Sequence, residues 1–287
     1  MSQFNLTIKP AQIEIILKPN STHTRAYEIT NNSSETIQLT TSIVPWIPSD
    51  NSGSVIYLDT QETTLGISLS NADLKLGQDF LIKPNQKKQL VLKIKNIAND
   101  ENDHYLTFFI TQKPINSNSN HQNLAKIGSN ILVSTTNENI ITSNLEISQF
   151  NVSPSIKDIF SNIKINGEIY NKGNHYDHIN GQIIISKNGQ IYWENNLFPY
   201  TITTHNSRLL HCLNSNNEPQ LCQLKIPIWP GVYEGKIIIH GNNSNNEYTF
   251  NFFVFPYLIV IITLISFIFL MNLLKIKKRP SSKNKVC

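Results

Sequence analysis

The chain has three cysteines, eleven glycines and little charge, and each shortage narrows what it can be. Cys212 and Cys222 flank the polar stretch HCLNSNNEPQLC and Cys287 is the last residue, so the close ligand pairs that build a structural zinc site are missing. No Gly-x-Ser-x-Gly and no Gly-x4-Gly-Lys-[Ser/Thr] run occurs, which removes a hydrolase nucleophile elbow and a phosphate-cradling loop. No long amphipathic helix can be traced before position 252. Arginine and alanine are scarce while asparagine, isoleucine and lysine abound, a bias of AT-rich coding. The Asn-x-Ser/Thr triplets at Asn5, Asn20 and Asn151 arise readily in such a composition. Excess charge is missing too. The net of +4 belongs to the C-terminus, because six of the 24 basic residues lie from position 275 onward. That leaves 18 basic against 20 acidic residues before them, a net of −2, and no electrostatic footprint for nucleic acid.

What is present is one long apolar run. Residues 252–274 read FFVFPYLIVIITLISFIFLMNLL with no charge, matching the roughly 20 residues needed to cross a hydrocarbon layer of about 30 Å. A buried globular helix is seldom apolar all round for so long. Phe253, Phe255 and Tyr257 suit an aromatic belt where the span begins, and Lys275, Lys277, Lys278 and Arg279 form the basic flank where it ends. Pro256 falls in the first turns, where its missing N–H is tolerated. The positive-inside rule then predicts a single-pass protein of the cell membrane, with residues 275–287 cytoplasmic and the N-terminal bulk outside. That topology calls for a signal peptide, yet residues 1–15 have neither a basic start nor an apolar core. The expectation is a signal lying upstream or already removed, with tail-anchored insertion as the alternative.

The rest reads as strands. In Thr22 to Ile29 the residues alternate, and in QLVLKIK (89–95) Leu90, Leu92 and Ile94 share one face. YLTFFIT (105–111) is aromatic and β-branched, and polar clusters such as Asn31-Asn-Ser-Ser34 and Lys187-Asn-Gly189 punctuate the runs. The fold class predicted is all-β: two tandem immunoglobulin-like β-sandwiches followed by one transmembrane α-helix. The boundaries are 1–136 for the first sandwich, 137–144 for a linker, 145–251 for a membrane-proximal sandwich, 252–274 for the helix and 275–287 for the tail. Leu17-Lys-Pro-Asn20 and Ile82-Lys-Pro-Asn85 each launch a long strand ending at Asn, which suggests facing elements of the two sheets. Residues 114–123 read as a mobile loop, and Trp193 and Trp229 as core residues, the latter fixed by Pro227 and Pro230.

Few residues suggest chemistry. His175 and His178, with Asp177 between them, offer two metal ligands or a polar turn after a strand. His104 after Asp100-Glu-Asn-Asp103 reads as a calcium loop or a solvated hairpin, and the acid spacing does not fit an EF-hand. Cys212 and Cys222 are either a bridge across a hairpin or two buried thiols. Trp46, between Pro45 and Pro48, is either an exposed anchor for a partner or a buried cap on the core. No catalytic, cofactor-binding or metal residue is assigned.

The phrase YEITNNSSETIQL (27–39) after a Pro-initiated turn, with the second Lys-Pro-Asn turn and its QLVLKIKN strand, resembles the opening of bacterial surface domains of the WxL-interacting-protein family. The layout of sandwich, second sandwich, helix and basic tail is similar as well. Asn171-Lys-Gly-Asn-His175 and the Phe253-Val-Phe-Pro256 approach to the helix look like membrane-proximal domains of related surface proteins. Asn20 and Asn85 stand where that family's turn has Gly. The resemblance implies attachment to peptidoglycan and to a partner surface protein. The function expected is therefore a non-enzymatic, membrane-anchored surface protein whose ectodomain binds cell wall or another surface protein. Two alternatives are a chaperone-like module that pairs strand edges with a secreted client and a metal-dependent enzyme centred on His175 and His178.

Overall fold

The computed structural model describes residues 5–59, 63–97, 101–113, 125–138, 141, 144–224 and 229–277. The loop expected at 114–123, Pro227, Lys278, Arg279 and Cys287 lie outside them, as do the side chains of Lys275 and Lys277.

The first unit holds β1 (Leu6–Lys9), β2 (Gln12–Leu17), β3 (Thr22–Asn31), β4 (Ile37–Pro48), β5 (Val55–Tyr57), β6 (Leu65–Leu69), β7 (Phe80–Ile82), β8 (Lys87–Asn96), β9 (Asp103–Lys113) and β10 (Lys126–Thr135). One sheet has the order β1-β3-β8-β6, the other β2-β10-β9-β4-β5, with β7 also beside β4. Alternation decides what lies between them. β8 turns Leu90, Leu92 and Ile94 inward, β2 turns Ile13, Ile15 and Leu17, and these meet Tyr27, Phe108 and Ile131 in one core. Burial of Tyr27 pushes its phenol up to about 12.

The two Lys-Pro-Asn turns launch neighbouring strands of one sheet, not facing strands of two. Ser21 N–H donates to Lys18 O and Gln86 N–H to Lys83 O, each at 3.1 Å. Asn20 and Asn85 both sit at φ 58°, a left-handed conformation that asparagine tolerates. β3 then pairs antiparallel with β8 from Thr22–Lys95 to Thr30–Lys87. Each strand therefore ends beside the other's turn, with Asn31 N–H on Gln86 O and Asn96 N–H on Ser21 O.

The second unit holds β11 (Leu145–Ser153), β12 (Ile163–Asn171), β13 (Asp177–Lys187), β14 (Gln190–Asn196), β15 (Tyr200–Ile202), β16 (Ser207–Leu209), β17 (His211–Leu213), β18 (Pro219–Leu224), β19 (Gly231–Gly241) and β20 (Ser244–Val254). Its sheets run β11-β12-β18-β17, with β16 beside β12, and β14-β13-β19-β20, with β15 beside β13. Ile163, Ile165 and Ile169 face Ile183, Ile185, Ile237 and Ile239 across the core. Cys212 and Cys222 are joined in a disulfide inside that core, with Cα atoms 5.0 Å apart. The chain thus folds as two tandem immunoglobulin-like sandwiches with one C-terminal apolar helix.

The two sandwiches share one device. Asn31 and Asn171 are both fully buried at the end of a strand. Asn31 donates its amide to Glu35 O and Ile82 O and accepts from Ser33 N–H. Asn171 donates to His175 O and Ile202 O and accepts from Gly173 N–H. One side chain in each domain replaces the backbone partners that a tight turn cannot supply.

Two further expectations change. The apolar run does not become helix at Phe252. β20 continues to Val254, because Phe252 and Val254 alternate into the core, and α1 spans Tyr257–Lys277. Pro256 lies just before it and its carbonyl accepts the first helical bond, from Val260 N–H at 3.0 Å. Trp193 does pack against the second core, but Trp229 is 72 % exposed. It lies two residues before the start of β19, outside the strands of the described residues.

Candidate functional site

The candidate site is where the second sandwich meets the outer face of the first. Glu14, Leu132 and Tyr105 are register partners on β2, β10 and β9. Trp46 of β4 extends the row, its ring stacked on Tyr105 at 4.9 Å and 24°. Tyr176, from the turn between β12 and β13, closes over this row to make a small core of Trp46, Tyr105, Leu132 and Tyr176. Trp46 is consequently 8 % exposed. It does not offer its ring to an outside partner, because the second domain already covers it.

Asp103 is the polar centre of the junction. Its Oδ1 accepts from Ser134 Oγ at 2.7 Å and lies 2.9 Å from His175 Nδ1. Its Oδ2 accepts from Tyr105 Oη at 2.8 Å and from the backbone N–H of Tyr176. Tyr105 Oη in turn accepts from Thr204 N–H at 3.0 Å. A buried carboxylate of the first domain is thereby satisfied half by its own strands, through Ser134 and Tyr105, and half by the second domain, through His175 and Tyr176. The bond to Asp103 raises the His175 pKa, with burial opposing it. Burial, reinforced by nearby carboxylates, pushes the Tyr105 and Tyr176 phenols well above their usual range, so both stay neutral.

Two further contacts flank this centre. Glu14 Oε2 lies 2.6 Å from His178 Nε2, whose Nδ1 is 2.9 Å from Thr201 Oγ1. On the other side the turn after β4 reaches across: Asn51 donates to Glu168 Oε1 at 2.8 Å, and Arg208 Nη1 to Asp50 O at 3.3 Å. His175 and His178 therefore diverge to separate carboxylates and do not converge on one ion position. No group of three His, Cys, Asp or Glu placed to hold a metal ion is found among the described residues.

Beside the junction lies an open strand edge. β2 runs parallel to β10. Ala11 O accepts from Asn130 N–H and Leu17 O from Thr136 N–H, each at 3.0 Å, so the odd-numbered residues turn their backbone groups to β10. Those of Gln12, Glu14 and Ile16 face away, and β2 is the last strand of its sheet among the described residues. Glu14 and Ile16 also line a cleft of about 280 Å³ in the angle between the domains, with Tyr176 and His178 on its far wall. A larger recess of about 440 Å³ between β4 and β6 shares no residue with the junction among the described residues, of which Lys113 is the one charged side chain lining it.

Solved structures superpose on the chain only loosely. No protein-family model and no curated protein matches the chain. The class 5 fimbriae chaperone CfaA is 11 % identical, at a TM-score of 0.41 over 88 % of this chain and 100 % of that one. A chaperone–tip adhesin complex of CFA/I fimbriae biogenesis is 12 % identical, at 0.45 over 88 % and 99 %. The E. coli chaperone DraB is 10 % identical, at 0.39 over 86 % and 98 %. Such identities speak to the fold, and superpositions this loose carry no argument about what the chain does. The resemblance to WxL-interacting proteins rests on its short motifs alone.

Sequence reasoning singled out Trp46, His175 and His178, and the structure brings all three to one junction, Trp46 as the buried alternative and the two histidines as partners of carboxylates. It placed Asp103 only in an acidic turn and passed over Glu14. Their partners lie 72 and 164 residues away, a separation that local patterning does not register.

Proposed function

We propose that this chain is a non-enzymatic, membrane-anchored binding protein whose β2 edge receives an extended segment of a secreted or surface protein. The observation that carries this reading is the row of backbone groups at Gln12, Glu14 and Ile16, which has no ladder partner among the described residues and lies beside the interdomain cleft. An added strand would complete that ladder, and the cleft wall would select side chains at alternate positions. Strand addition requires a peptide backbone, so a protein suits this edge better than the glycan of peptidoglycan does. The fixed angle between the domains favours the narrower, chaperone-like form, in which a client strand lies along β2 and meets the second domain.

The anchor is α1. The 18 residues Tyr257–Leu274 carry no charge and none of that stretch is buried against protein. With Lys275, Lys277, Lys278 and Arg279 following, the tail is cytoplasmic and the sandwiches lie outside. The test is photo-crosslinking in native cells with benzoylphenylalanine at Ile16, on the β2 edge, and at Leu81, exposed on β7. A discrete adduct at position 16 and none at 81 supports the reading. Equal labelling at both, or none at 16, removes it.

A further inference from the structure

The end of the second sandwich from which α1 emerges carries an unusual set of exposed apolar side chains. Ile156 and Phe160 lie in the connection between β11 and β12, and Trp229 stands one residue, Pro230, before β19. Val232 and Phe253 face each other across β19 and β20. Their exposures are 68, 64, 72, 61 and 53 %. Single exposed apolar residues need no explanation, but several on one rim mark a contact surface.

Hydrogen bonds fix this rim to the root of the helix. Asp158 Oδ2 accepts from Leu258 N–H in the first turn of α1 at 3.0 Å, and Lys157 O accepts from Phe255 N–H at 3.0 Å. Asp158 also orders its own turn, accepting from Phe160 N–H through Oδ1 at 3.1 Å. Trp229 is tied in from the other side: its carbonyl accepts from Tyr233 Oη, and the neighbouring Pro230 carbonyl accepts from Lys187 Nζ, both at 2.7 Å. Only two residues separate the end of β20 from the start of α1.

Length then sets the depth. The 18-residue apolar stretch of α1 spans roughly 27 Å at about 1.5 Å per residue, slightly less than a hydrocarbon core of about 30 Å. A short span draws its flanks toward the boundary. With no tether to take up slack, the sandwich rim comes down with the helix. We infer that Ile156, Phe160, Trp229, Val232 and Phe253 rest in the phospholipid headgroup and upper acyl region, so that the second domain is seated on the bilayer and holds the ectodomain at a fixed tilt. Trp and Phe are the side chains that favour this zone.

This inference rests on α1 spanning the membrane, and the test separates the two. The full chain is reconstituted in phosphatidylcholine–phosphatidylglycerol vesicles with and without lipids brominated near the top of the acyl chain. The Trp229 signal is read as the difference between wild type and Trp229→Phe. Most of that component is expected to be quenched, and Phe160→Trp in the Trp229→Phe background is expected to restore a quenchable signal. Carbonate washing is run on the same vesicles. A chain that resists extraction while its Trp229 signal is untouched by brominated lipid overturns the seating and leaves the anchor standing. A chain that washes off overturns both.

Discussion

Asp103 of the first sandwich lies 2.9 Å from His175 of the second, and its carboxylate is fully buried there. The pairing makes the two domains one unit. Without the second domain, Asp103 would lose the His175 ring and the Tyr176 N–H, and the row of Trp46, Tyr105 and Leu132 would lose its cover.

Removing that carboxylate should therefore be severe. Asp103→Ala leaves several buried donors unpaired and is expected to cost about 3–5 kcal/mol. Asp103→Asn keeps the shape and one acceptor, so its cost should be smaller. Urea denaturation of both variants checks this, and a second transition in Asp103→Ala would report uncoupled domains.

The same pair predicts a pH dependence. The folded pKa of His175 is raised, chiefly by its bond to Asp103, with Glu101 and Glu138 adding to the field. A raised pKa means that the folded state binds the proton more tightly. The stabilisation is then complete below the ordinary histidine value of about 6.5 and fades as pH rises through the raised value. The melting temperature of wild type should exceed that of His175→Gln most at mildly acidic pH, and the gap should narrow toward alkaline pH. A gap that widens with pH would contradict the assignment.

The disulfide closes a short loop, with Cys212 and Cys222 ten positions apart. Chain-entropy reasoning gives about 2–3 kcal/mol for a loop of this size. Reduction, or the double change to Ala, should lower stability by that amount, and mass spectrometry of the unreduced protein should show both thiols blocked to alkylation.

Asn31 and Asn171 make the same prediction in two places. Replacing either by Ala strands carbonyls that it satisfies, including those of Ile82 and Ile202. Each variant should lose about 1–3 kcal/mol, while Asn32→Ala, at an exposed neighbouring position, should be near neutral. Thermal melts of the three variants side by side decide it.

Much of the fold was legible because alternation is local. Leu90, Leu92 and Ile94 announced an inward face, and residues 105–111 announced a strand that the structure extends to Asp103–Lys113. The junction was not legible, because it is made by residues that meet only once both sandwiches exist. Asp103 looks like part of an acidic surface turn until His175 arrives. Trp46 looks displayable until Tyr176 covers it, and Trp229 looks like core until its strand proves to start one residue beyond Pro230. The start of α1 was misplaced for a related reason: Phe252 and Val254 are apolar for the core of a sandwich, and hydropathy alone does not separate that from a span.

The central claim is that a partner pairs with the backbone of β2, and proline at Ile16 tests it most directly. The Ile16 N–H faces away from β10, so Ile16→Pro removes a donor from the open edge and leaves the existing ladder intact. Ile16→Thr serves as the side-chain control. The account predicts that Ile16→Pro folds with little change in melting temperature and loses crosslinked partner, while Ile16→Thr retains most of it. A folded Ile16→Pro protein that captures its partner as well as wild type would contradict strand pairing at this edge.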